Sequence, residues 1–114
     1  MKQIDTTAAN RLIAEGKGWK AVYVGTALFG IAPGAVLDSV VPNWAGDDRE
    51  AFSLLQDGLL CRSFKIKRSR QDGYKVTIPR PPLVDWRADS FRFSLAATTA
   101  YLRAQGHDVE VTDE

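Results

Sequence analysis

The chain has 114 residues, 45% of them apolar and 25% charged, with a net charge of +1. That is ordinary globular composition, it argues against disorder, and the length suits a single domain with a core that needs no disulfide or metal. Cys61 and His107 are the only residues of their types, which excludes an intramolecular disulfide, a four-cysteine zinc site and a Cys/His zinc finger.

Asp5-Thr6-Thr7 offers N-cap oxygens, and Leu12 and Ile13 supply apolar positions before Gly16 or Gly18. A helix is predicted over about 6–16. Trp19 to Val24 is β-branched and aromatic enough for a strand that stops at Gly25. The run from Ala21 to Leu37 carries no charge over 17 residues. It falls short of the roughly 20 residues of a membrane span, and Gly25, Gly30, Pro33 and Gly34 interrupt it. A buried strand and turn is the expectation, with no membrane contact. The start, MKQIDTTAAN, lacks the apolar stretch of a secretory signal, so a cytoplasmic, reducing setting is expected. Ala35 to Val41 reads as a helical turn and Pro42 to Gly46 as a loop.

Asp47 stands three residues before Glu50, a capping-box-like start, and Ala51, Phe52, Leu54 and Leu55 form an apolar helix face that Gly58 closes. Leu59 to Arg68 alternates as a strand, Asp72-Gly73 supplies the positive φ of a hairpin turn, and Tyr74 to Ile78 returns with Tyr74, Val76 and Ile78 on one face. Pro79, Pro81 and Pro82 force an extended connection. Phe91, Leu95, Thr98 and Leu102 fall at helical spacing, as do Phe93, Ala97, Ala100 and Ala104. They predict a helix from about Ser90 to Gln105, capped by Asp89 or Ser90 and stopped by Gly106. His107 to Val111 reads as a last strand. The expected fold is α+β over residues 1–114: about three helices packed on a small, mainly antiparallel sheet with a central β-hairpin at 59–78.

No motif assigns a chemistry. Gly25 and Gly30 have phosphate-loop spacing, but Ile31 and Ala32 stand where Lys and Ser/Thr must follow. Leu102 to Val111 resembles the helix-Gly-strand step of many dinucleotide and nucleotide-sugar proteins, yet Phe91 to Leu95 contains no glycine for the fingerprint. On a strand His107 points away from Asp108 and Glu110, so the three do not converge on a metal. Asp47, Asp48 and Glu50 suit the N-terminal end of a helix. Pro79-Arg80-Pro81-Pro82 matches the bare PxxP pattern without its flanking cation. No catalytic residue, metal or cofactor is assigned, and a non-enzymatic binding role is expected.

Charge distribution carries the most information. Residues 61–80 sum to +6, against −2 for residues 1–60 and −3 for residues 81–114. Arg62, Lys65, Lys67, Arg68, Arg70, Lys75 and Arg80 are the candidate contacts to an anionic partner, nucleic acid first or an acidic protein surface second. Phe64 and Tyr74 are candidates to stack on unpaired bases. The competing account is that these cations guard a sheet edge. A further alternative is a protein-interaction or assembly module, of the size common among bacteriophage and mobile-element accessory proteins, using Trp44, Trp86 and the Pro-rich segment 79–86. The oligomeric state is not legible.

Overall fold

Asp5 starts the first helix as its spacing predicts. Its carboxylate accepts from the Ala8 amide at 2.7 Å, one of the donors that a first helical turn leaves unpaired. This helix, α1, spans Thr6–Gly16. Gly18 ends it: a φ of 97° there lets the Trp19 amide reach back to the Ala14 carbonyl at 3.0 Å. The computed structural model describes residues 2–57, 65–69, 73–78, 86–90 and 92–112, with backbone alone at Asp57, Lys65, Arg68, Ser69, Thr77, Ile78 and 86–90.

The fold is α+β, with three helices among the described residues and mostly antiparallel strand pairing. β1 (Lys2–Ile4) lies parallel to the last strand, β8 (Val109–Val111). β2 (Lys20–Val24), β3 (Leu28–Ile31) and β4 (Ser39–Val40) form an antiparallel sheet in that order. After α2 (Asp48–Asp57), a second antiparallel sheet joins β5 (Lys65–Ser69), β6 (Gly73–Ile78) and β7 (Trp86–Ser90). The last helix, α3, spans Phe93–Ala104. The described strands therefore form three small sheets rather than one.

Several local expectations need correction. Of the segment 35–41, expected as a helical turn, Ser39–Val40 form instead the edge strand β4, whose Val40 pairs with Phe29. The apolar run 21–37 is only partly buried: Leu28 packs inward, while Val24, Val36 and Leu37 are exposed. A small three-stranded sheet buries even its inner face only in part: Val24, in register with Leu28, is exposed at the end of β2. α2 has Asp47 as its cap, through the Arg49 amide at 2.8 Å, but the Asp47 amide goes to the Asn43 carbonyl at 2.9 Å instead of the Glu50 side chain. Phe52, expected on the buried face, is exposed. α3 begins at Phe93 because Asp89 and Ser90 belong to β7. The acceptor at its start comes from α2, where Asp48 takes the Ser94 amide at 3.1 Å. Gly106 does stop α3, with φ 96° and the His107 amide on the Leu102 carbonyl at 2.9 Å, and so the last strand starts at Val109. Gly73 has the positive φ, 78°, that the hairpin turn predicts. Residues 58–64, 70–72 and 79–85, with the expected Gly58 stop, the strand start and the proline connection, lie outside the described residues.

α3 divides the core. One cluster joins Ile13, Leu28, Trp44, Leu54, Leu95, Leu102 and Val109; the other joins Ala51, Leu55, Val76, Phe93, Ala97 and Ala100. A buried polar clasp fixes the turn that carries Trp44. Asn10 on α1 accepts from the Ala45 amide at 2.9 Å and donates to the Asn43 side chain at 2.8 Å. The Asn43 carboxamide oxygen also accepts from the Gly46 amide at 3.1 Å.

Asn10→Ala leaves the Ala45 amide buried without its acceptor, so stability should fall by about 1–3 kcal/mol in a urea titration. A loss below about 0.5 kcal/mol would show that the clasp is replaceable. A second expectation concerns alkali. Burial raises the Tyr101 hydroxyl above its ordinary pKa of 10.0. Its neutral form is therefore favoured in the fold, and its contribution is complete below about pH 10 and disappears as pH rises through the folded value. Tyr101→Phe should flatten the alkaline fall in the urea midpoint; an unchanged fall would assign it to other groups.

Candidate functional site

The basic segment folds onto the sheet β5-β6-β7, and its register sorts the charges into rows. Lys67 pairs with Lys75, and Lys75 with Asp89; Lys65 pairs with Thr77, and Thr77 with Arg87. The alternate rows run Ile66–Val76–Ala88 and Arg68–Tyr74–Ser90. Val76 is fully buried in the cluster with α3, and Tyr74 packs against it with its ring edge-on to Phe93 at 5.7 Å. Successive strand residues point to opposite faces, so Lys75 lies on the face turned away from α3. Lys67 is exposed and Lys75 half-buried.

This arrangement divides the candidate residues. Lys67 and Lys75 are brought directly opposite each other. Lys65 occupies the next position of the same alternation, whereas Arg68 falls in the row of Tyr74. Arg62, Arg70, Arg80 and Phe64 lie outside the described residues. Tyr74 needs correction as a stacking residue for a ligand on the lysine face: it lies on the opposite face, packed against Phe93. Trp44 is corrected too. It is only 5% exposed, packed into the first cluster because the Asn10 clasp folds its turn inward, and is not a free anchor. Trp86 pairs in register with Ile78 at the start of β7.

Arg87 is the member that the sequence reading missed. The alternation of Trp86, Ala88 and Ser90 against Arg87 and Asp89 is its signal, hidden behind the prolines. Two lysines held directly across a ladder repel each other. Lys75 also faces the register position of Asp89, so the row is not a bare like-charge pair.

Among the described residues no cluster of three or more His, Cys, Asp or Glu could hold a metal ion, and no helix is long and apolar enough to cross a membrane. No known protein family, curated protein or solved structure matches the chain.

Lys67→Glu replaces a repulsive cross-strand pair with an attractive one. It should stabilise the fold by about 0.2–1 kcal/mol in chemical denaturation. A loss of stability would mean that Lys75 is already fully compensated across β7.

Proposed function

We propose that this chain is a non-enzymatic binding protein whose β5-β6-β7 sheet meets an anionic partner, nucleic acid being the first candidate. The reading rests on one observation: Lys67 stands opposite Lys75, and Lys75 lies on the central strand of its sheet. Protection of a sheet edge accounts for lysines on β5. It does not account for Lys75 on β6. A repulsive pair that reaches in to the central strand is relieved when an anion bridges it. Lys65 and Arg87 extend the row at neighbouring register positions. The mode this favours is phosphate contact by the lysine face, without base stacking by Tyr74. The proposed setting is cytoplasmic, with the three helices and the basic hairpin acting as one domain.

Four phosphate contacts, by Lys65, Lys67, Lys75 and Arg87, would give a slope of about −3.6 in log K against log salt on duplex DNA. Affinity should then fall roughly 150-fold between about 50 and 200 mM salt. Titration of labelled single- and double-stranded oligonucleotides at both salts tests this. Lys67→Glu with Lys75→Glu should weaken binding sharply and flatten the slope by about 1.8. No binding at micromolar protein in the lower salt would remove nucleic acid and leave an acidic protein surface as the partner.

A further inference from the structure

The sheet β2-β3-β4 has an uncovered face of a different character. Phe29 stands opposite Tyr23 on one side and Val40 on the other, and the Tyr23 and Phe29 rings stack at 5.5 Å with their planes 20° apart. Leu28 and Gly30 are buried on the inner side of β3. Tyr23 is nevertheless 46% exposed and Val40 58%, while Val36 and Leu37 in the β3–β4 loop reach 88% and 79%. Single exposed apolar residues are common; an adjoining row and loop of them mark a contact surface.

Two charges flank the row. Asp38, just before β4, accepts from the Tyr23 hydroxyl at 2.7 Å. Lys20 on β2 pairs in register with Ile31 and is exposed. The two therefore stand at opposite edges of the sheet, near the same end of β3. We propose that this face is covered by the same face of a second copy of the chain, across a two-fold axis running along the strands. That axis lays β2 of each copy over β4 of the other. Lys20 then meets Asp38 of the second copy, and the pair forms twice, as an isologous interface requires. Aligned packing of two sheets face to face is a common arrangement.

The area is compatible with this occupant. At roughly 60–120 Å² per fully exposed aliphatic side chain, the row and loop offer on the order of 250 Å² of apolar surface. A standard interface hides about 800 Å² per partner, with about 65% of it apolar in homodimers, or about 500 Å². The face thus supplies about half of the apolar share that a dimer of standard size needs. The proposal is independent of the basic sheet and of what that sheet binds.

The experiment is sedimentation of the full chain from about 1 to 100 µM, with each variant's circular dichroism and unfolding midpoint matched to wild type. Wild type should dimerise within this range. Leu37→Asp and Val40→Asp, at exposed positions that contribute little to the fold, should each raise the dimer dissociation constant by about tenfold or more. Lys20→Asp and Asp38→Lys should each weaken the dimer by about tenfold, and the two together should restore it to within about threefold of wild type. A monomer at the highest concentration would overturn the proposal and turn the face towards a different protein. A dimer indifferent to Leu37→Asp and Val40→Asp would place the contact elsewhere and overturn it equally. Failure of the combined charge exchange to restore the dimer would overturn the axis, and with it the proposed arrangement.

Discussion

The burial of α3 on all sides is the constraint on which the other elements depend. All ten residues from Phe93 to Leu102 are buried. A helix enclosed in this way has no solvent face on which to place polar side chains. Its sequence answers with small residues: Ala96, Ala97 and Ala100 bring neighbours close, the Thr98 and Thr99 hydroxyls find partners nearby, and the Ser94 hydroxyl is buried with no hydrogen-bond partner among the described residues. The Thr98 hydroxyl donates to the Ser94 carbonyl at 2.8 Å, and the Thr99 hydroxyl accepts from the Val111 amide at 3.0 Å. The latter contact ties β8, and through it β1, to the helix. The Ser94 amide, held by Asp48, does the same for α2.

Much of this was legible in the sequence, because two sets of helical spacing overlap in α3. The set containing Leu95 and Leu102 packs into the first cluster, and the set containing Phe93, Ala97 and Ala100 into the second. An amphipathic surface helix shows one stripe; two stripes mean two packed faces. α1 and its Asp5 cap were readable for the same local reasons. β1 and β4 were not. Strands of three and two residues are too short for alternation to register, and they exist only because a distant partner supplies the ladder. β7 was obscured differently, since its five residues follow a proline run that reads as a connection.

The basic candidate site was legible as composition but not as geometry. Net charge over residues 61–80 identifies a cationic segment, yet a strand divides its residues between two faces. Only the register can say that Lys67 and Lys75 share a row and that Arg68 does not. The same division explains Tyr74: one residue from Lys75, it faces the other way. Trp44 failed as an exposed anchor for a longer-range reason. The Pro42 to Gly46 segment reads as a surface loop until Asn10, over thirty residues earlier, draws its backbone inward. A side chain acting at that distance leaves no periodic trace in the sequence.

The two open surfaces differ because they back onto different clusters. The row of Tyr23, Phe29 and Val40 covers the first cluster through Leu28 and Val22, whereas the lysine face covers the second through Val76 and Tyr74. α3 contributes to both clusters, and each of these two sheets has one face turned towards its cluster and one left over. What occupies the free face is then set by the alternate residues of the same strands: apolar in β2 to β4, cationic in β5 and β6. An uncharged face buries water-avoiding area and favours a rigid, self-complementary contact. A cationic face keeps its solvation until an anion replaces it, which favours a salt-sensitive contact. With two of the described sheets backing onto different clusters, the chain can present both kinds of surface without either disturbing the core that supports the other.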